Sequence, residues 1–332
     1  MPTPSPQPAV AFRSFSGMPE FAETVGATPV HLGIGNYDGF HCGHRAIFKK
    51  AQAEAEATPG GGLVGALTFS PHPEVFFKGK DAVRLIFSRE RKDELFANAG
   101  LNFAIHEPFS DRFAEIPAEE FVCVLKKKIP TLAGLYVGDN FRFGAKRRGD
   151  IRMLSELGNS AGISVHVVSP VSYLGERISS TRIRTALTEG KIEDANAMLS
   201  LPYESCGIVV KGNQLGRTIG FPTLNLAWSP ELRPRFGAYV VRLRVPATGQ
   251  IFHGIANYGV RPTIVSEAEA RPLLETHLLD VPADTPPPTY GDFICVQWFK
   301  FLRPEVRFQG VDALKAQLEL DKINALSSIN TL

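Results

Sequence analysis

An excess of charge of one sign is missing from this chain. Its 36 Lys and Arg nearly balance its 34 Asp and Glu, leaving a formal net charge of +2. A broad electrostatic footprint for nucleic acid is therefore not expected. Long apolar runs are missing too, since none approaches the ~18 residues of a membrane span, so no membrane partner is expected. The opening MPTPSPQPAV has no basic stretch followed by an apolar core. It reads as a loosely draped, Pro-rich segment and not as a secretory signal. Cysteine is scarce. Cys42, Cys123, Cys206 and Cys295 include no CxxC pair, which predicts reduced structural thiols in a cytoplasmic protein. No GxxxxGK[ST] occurs, so kinase chemistry of the P-loop kind is excluded, and Gly33, Gly35 and Gly39 misplace the third glycine of GxGxxG.

What is present is an ordinary globular composition, 44% hydrophobic and 21% charged, over 332 residues. That length leaves room for two domains of the usual ~100–200 residues. From Val30 to Val168, apolar runs alternate with helical patterns. Strands are expected at Val30–Ile34, Gly62–Phe69, Leu101–His106, Leu135–Gly138 and Ile163–Val168. Helices are expected at Gly43–Ala57, Ser88–Asn98, Pro117–Lys128 and Asp150–Ala161, with Ser88 as an N-cap. Near-continuous apolar strands between helices argue a parallel sheet covered on both faces. Ligands of such sheets bind beyond the carboxyl ends of the strands.

Polar residues gather at those ends. The first strand runs into GIGNYDGFHCGHR, a glycine-punctuated turn holding Gly35, Asn36, Asp38, His41 and His44. Backbone N–H groups in such a turn, with a helix N-terminus behind it, face an anion, and two imidazoles suit a polyphosphate. The histidine spacing also permits a metal, but no Cys or carboxylate cluster accompanies it as in a zinc site. Ser70-Pro71-His72-Pro73, Gly138-Asp139-Asn140-Phe141-Arg142-Phe143-Gly144 and Ile178-Ser179-Ser180-Thr181-Arg182-Ile183-Arg184 follow later strands. Together they read as a nucleotide site.

Past Thr185–Ser200, two short helices broken at Gly190, the pattern changes to short strands separated by turns. A small antiparallel barrel is expected. Val311, Leu314, Leu318 and Leu320 suit a C-terminal helix covering it. Gly212, Gly216, Arg217, Gly220, Pro222, Thr223 and Asn225 fall in one stretch that reads as a flexible loop with short oxygen ligands. Thr and Asn oxygens suit Mg²⁺ bridging nucleotide phosphates.

GNYDGFH, TFSPHP, VGDNFRFG, RRGD and ISSTRIR, in this order, resemble the FAD synthetase module of bacterial bifunctional riboflavin kinase/FMN adenylyltransferases. GRTIGFPTLNL, GIANYGVRPT, ETHLLD and FLRPEVRF resemble the riboflavin kinase module of the same family. The resemblance implies an α/β nucleotidyltransferase-type, Rossmann-like domain at 28–186, behind a flexible stretch at 1–27. A helical connector at 187–202 and a kinase barrel at 203–332 follow. It implies ATP, riboflavin, FMN and FAD as ligands, and the phosphate chemistry calls for Mg²⁺ at both sites. It leaves a homo-oligomer open.

By the same resemblance, Gly35, Asn36, Asp38, His41, His44, Ser179, Ser180 and Thr181 hold ATP in the adenylyltransferase, with Arg182 or Arg184 adding positive charge. Asn140, Phe141 and Arg142 lie near FMN, Phe141 stacking or merely packing. In the kinase, Gly212, Gly216, Arg217, Gly220, Pro222, Thr223 and Asn225 hold ATP, with Thr223 and Asn225 on Mg²⁺, and Glu275 is the general base. Arg303 is a candidate for the flavin side, and Arg261 either joins it or braces its own turn. Tyr37 departs from a usual Phe, Phe40 from a smaller β-branched residue, and Asn140 from a common Asp. Two other readings stay open: one active module with the other a flavin-binding regulator, or a flavin carrier without catalysis.

Overall fold

The computed structural model describes residues 11–212, 215–260, 272–279, 281–282 and 284–329. The chain divides into two compact units, one ending at Ser180 and the other beginning at Thr181. Strands β1 (Arg13–Phe15), β2 (Val30–Ile34), β3 (Leu63–Ser70), β4 (Phe103–Pro108), β5 (Leu132–Gly138) and β6 (Ser164–Val168) form the first unit's main sheet. All are parallel, in the order β1-β4-β3-β2-β5-β6. Between them run α1 (Met18–Ala22), α2 (Cys42–Ala57), α3 (Pro73–Lys78), α4 (Arg89–Asn98), α5 (Asp111–Ala114), α6 (Ala118–Lys128) and α7 (Ile151–Ser160). A hairpin of β7 (Ser172–Tyr173) and β8 (Glu176–Arg177) leads to α8 (Ser180–Glu189).

The five residues of β2 are all buried, because both faces of the sheet carry helices, and an unbroken apolar run is what such a strand needs. The chain steps outward from β2 to β3 and β4, then crosses back to β5 on the other side of β2. The reversal creates a crevice at the carboxyl ends of β2 and β5, where a doubly wound sheet takes its ligand. The loops leaving these two strands are GNYDGFHCGH and GDNFRFG.

Part of the segment expected to be flexible is built into the fold. β1 pairs with β4, and Phe15, Met18 and Phe21 are buried in the core. Three large apolar side chains there outweigh a Pro- and Gly-rich composition. Met18 N–H is held by the Glu107 carboxylate at 2.7 Å.

The second unit continues with α9 (Ile192–Leu199), then β9 (Tyr203–Val210), α10 (Leu215–Thr218), β10 (Thr223–Ala227), β11 (Gly237–Arg244), β12 (Ile251–Val260), β13 (Pro272–Leu278), β14 (Phe293–Pro304) and α11 (Val311–Ile329). Its six strands close an antiparallel barrel in the order β10-β13-β12-β11-β14-β9. Trp298, Tyr203, Tyr239 and Tyr258 fill it, ring against ring.

Two expectations change here. Thr223–Ala227 is a strand between β9 and β13 instead of loop, since its period of two emerges only once the neighbours are in place. Cys206 and Cys295 are joined in a disulfide. They stand opposite each other on β9 and β14, 89 residues apart in sequence, a pairing that CxxC spacing cannot register. Cys42 and Cys123 remain free thiols.

Candidate functional site

In the first unit the turn after β2 is held in an unusual backbone shape. Tyr37, Gly39 and Phe40 all have positive φ, and the non-glycine members tolerate it because their rings are anchored. Tyr37 and Phe40 are fully buried against Phe48 and Phe96. The two departures from the usual family residues are thus core anchors of the turn.

Asp38 is buried. Its Oδ1 accepts the Ile86 N–H at 2.9 Å, and its carbonyl accepts the Ser180 hydroxyl at 2.8 Å. Asp38 therefore ties the turn to the loop before α4 and to the start of α8. Asn36 reaches His72 at 3.0 Å, which brings the SPHP segment to the same edge.

His41 is the N-cap of α2. Its Nδ1 accepts the His44 N–H at 3.4 Å, so in the neutral ring the proton sits on Nε2, where it can be donated outward. The two imidazoles stack, centroids 3.6 Å apart at 18°. Gly43 permits this, because a Cβ there would lie 3.1 Å from the His41 ring. Burial, then the Arg177 charge, lowers the His41 pKa to about 4. Burial, His41 and Lys92 push His44 well below its ordinary value. Both rings are thus neutral near pH 7, and a stacked neutral pair can present N–H donors without mutual repulsion.

Beyond β5, Asn140 and Arg142 are exposed and Phe141 is half-buried, stacked on Phe143. Phe143 is core. Arg142 lies 3.9 Å from Asp150, the N-cap of α7. Ser180 opens α8, and Thr181, Arg182 and Arg184 follow along it, with Ile183 fully buried.

Three features of this edge were not singled out from the sequence. Arg177, one residue ahead of ISSTRIR, grips Asp139 through both guanidinium nitrogens, at 2.6 and 3.1 Å, and its charge acts on His41. Lys92, hidden in a run of charged residues, reaches beneath the turn. Phe69, Phe76, Phe77, Phe109 and Phe113 form an aromatic cluster at the ends of β3 and β4, with Phe77 66% exposed. A large exposed ring in such a cluster is a stacking surface.

In the barrel, register assembles the site. Asn225 of β10 pairs with Glu275 of β13, and Glu275 pairs with Asn257 of β12. Side chains of directly paired residues share a face. One outer row therefore reads Asn225, Glu275, Asn257, with Thr223 beside His277 in the adjoining row. Leu226 and Leu274 point the other way, into the interior.

His277 Nδ1–H donates to the Pro222 carbonyl at 2.8 Å, and its ring packs on Phe221, fixing the entry to β10. Gly212 is required where Asn225 passes, since a Cβ there would collide with the Asn225 amide. Gly216 lies under the Phe221 carbonyl, Gly220 turns with positive φ, and Arg217 is exposed on α10.

Arg303 continues the Asn225–Glu275–Asn257 row through Ala238. Its guanidinium is committed to Asp321 of α11, Nε at 3.0 Å and Nη2 at 2.7 Å, with Nη1 on the Pro304 carbonyl. Arg261 lies outside the described residues.

For a cation, Thr223 and Asn225 share a face of β10 and offer neutral oxygens beside a carboxylate, a donor set that fits Mg²⁺. Among the described residues, one group of His, Cys, Asp or Glu ligand atoms clusters within 4.8 Å, namely Glu204, Cys206 and Cys295. Its sulfurs are bonded to each other, so it is not that site. No helix among the described residues is long and apolar enough to cross a membrane.

Comparison with known proteins follows the same division. The family model for FAD synthetase matches residues 26–182, and that for riboflavin kinase matches residues 199–329. A bifunctional riboflavin kinase/FMN adenylyltransferase of Escherichia coli K12 is 38% identical, over 89% of this chain and 91% of its own length. The enzyme of that name from Haemophilus influenzae is 34% identical, over 90% and 94%. A crystal structure from Streptococcus pneumoniae, described as a macrolide-efflux protein, superposes with a TM-score of 0.80 at 26% identity. It covers 94% of this chain and 98% of its own.

Proposed function

Since the chain belongs to the bifunctional riboflavin kinase/FMN adenylyltransferase family, we propose that its two polar edges are the two active sites of one flavin-cofactor enzyme. The second unit phosphorylates riboflavin with ATP to give FMN and ADP. The first joins FMN to the adenylyl group of ATP, giving FAD and pyrophosphate.

In the kinase, Glu275 takes the proton of the ribityl 5′-hydroxyl as that oxygen attacks the γ-phosphorus. A carboxylate within hydrogen-bond reach of the nucleophile does this without strong basicity. The observation that carries this role is the in-register row placing Glu275 between Asn225 and Asn257. Gly212, Gly216, Arg217, Gly220 and Pro222 shape the nucleotide loop. Mg²⁺, held through Thr223 and Asn225, supplies charge neutralisation on the phosphates when bound. Arg303 acts through α11 by its pairing with Asp321.

In the adenylyltransferase, a phosphate oxygen of FMN attacks the α-phosphorus and pyrophosphate leaves. No covalent intermediate is needed, so catalysis is positioning and charge stabilisation. His41 and His44 donate N–H groups to the ATP phosphates. Gly35, Asn36 and Asp38 shape the turn, and Ser179, Ser180, Thr181 and Arg182 or Arg184 add hydroxyls and positive charge, with Arg177 beside His41. Asn140, Phe141 and Arg142 receive FMN, and the exposed Phe77 offers its ring system a stacking surface. The water-soluble substrates, ATP and the flavins, support a cytoplasmic setting.

Incubation with riboflavin, ATP and Mg²⁺, with flavins resolved by chromatography, tests the assignment. Glu275→Ala is expected to abolish FMN formation while FAD still forms from supplied FMN, and His44→Ala to do the reverse. FMN formation surviving in Glu275→Ala overturns the base assignment, and FMN accumulating without FAD in the wild type overturns the bifunctional reading.

A further inference from the structure

Lys92 has no place in the chemistry above, yet it is bound to the centre of the adenylyltransferase turn. It rises from the first turns of α4 and sets its ammonium 3.2 Å from the Asn36 carbonyl oxygen and 3.2 Å from Thr68 Oγ1. The Thr68 hydroxyl in turn donates to the same carbonyl at 3.1 Å. Three elements, the turn after β2, β3 and α4, thus meet at one oxygen. Thr68 is fully buried. A neutral donor could brace that carbonyl without the desolvation cost of an ammonium, so retaining a charge there calls for a use of the charge. Two groups feel it. Asp38, buried on the same turn, is attracted to Lys92, and Lys92 adds, after burial and His41, to the lowering of the His44 pKa.

We infer that Lys92 is a positioning residue of the adenylyl-transfer site, locking the Asn36–Asp38 turn to β3 beside the stacked histidines. It touches no substrate. Its hydrogen bonds fix where the turn's backbone lies. Desolvation, with Arg89 adding to it, draws the Lys92 pKa down while Asp38 and Asp93 pull it the other way. The titratable and charged groups around the stack are Tyr37, edge-on to His44, Lys92 from α4, and Arg177 from β8 acting on His41.

The inference rests on the reading of His41 and His44 as phosphate donors, and the test separates the two. FAD formation from supplied FMN is followed against pH in the full-length chain and in Lys92→Met, Lys92→Gln and His44→Ala. Limited proteolysis monitors the first unit, and FMN formation monitors the second. Lys92→Met is expected to lower kcat for FAD roughly 100-fold, the cost of a small misplacement of catalytic groups. It is also expected to shift the acid limb of the pH–rate profile upward, because His44 protonates more easily without the neighbouring cation. Lys92→Gln keeps a donor for the Asn36 carbonyl. It is expected to retain more of kcat while showing the same shifted limb, a signature that loss of folded protein does not produce. FMN formation stays at its wild-type rate. FAD formation in Lys92→Gln no faster than in Lys92→Met overturns the inference, as does FAD formation in Lys92→Met close to wild type. His44→Ala at full FAD activity overturns the histidine reading on which it stands.

Discussion

Tyr37 carries a hydroxyl that its surroundings do not use. The oxygen is buried and has no hydrogen-bond partner among the described residues, although the ring itself packs on Phe48 and meets His44 edge-on. A buried unsatisfied hydroxyl costs about 1–3 kcal/mol. Tyr37→Phe is therefore expected to raise stability by about 1 kcal/mol in a urea titration, with the turn unchanged. The histidines predict a pH dependence. His41 has its pKa lowered from 6.5 to about 4 on folding, so between those values the unfolded chain binds more protons than the folded one. The His41 contribution to stability is fully present above about pH 6.5 and is lost as pH drops toward about 4. His41→Asn is expected to flatten the slope of the urea midpoint against pH over that window. At this scale the glycine-histidine turn was readable from the sequence because residue types and spacing lie within a few positions. Lys92 and Arg177 were not, because a charged run looks solvated until α4 and β8 are folded against the turn.

The elements show the same division. Helices with local signals form where they are expected: Ser88 caps α4 and Asp150 caps α7, each side chain accepting a backbone N–H three residues on. The inward face of α11 is different. Val311 and Leu320, expected to cover the barrel, are 53% and 54% exposed, whereas Asp321, Ala325 and Ser328 are buried. An apolar count along the helix cannot anticipate a buried aspartate, whose reason is Arg303 on β14 reaching it in a two-pronged pair. Both side chains are largely removed from water. Breaking such a pair leaves one charge stranded, at about 3–5 kcal/mol. Asp321→Ala is expected to lower the stability of the second unit by that amount in denaturant unfolding. The double change Arg303→Met with Asp321→Leu is expected to recover most of it.

For the whole molecule, family resemblance carried both activities and the order of the two modules, while the sequence pattern could not carry pairings across long separations. Cys206–Cys295 closes a loop of 89 residues, and removal of such a link costs about 2–4 kcal/mol through the freedom it returns to the unfolded chain. Cys206→Ser is expected to melt earlier than wild type, and dithiothreitol is expected to shift the wild type but not the variant. The row Asn225–Glu275–Asn257 has a further consequence. Side chains alternate along a strand, so a slip of one residue in β13 would send Glu275 into the barrel and turn Leu274 to solvent. A one-residue slip therefore breaks the row that Glu275 shares with Asn225 and Asn257. With Glu275 as the proposed base, phosphorylation of riboflavin becomes a chemical readout of strand pairing: a refolding chain that regains FMN synthesis is expected to have found its register.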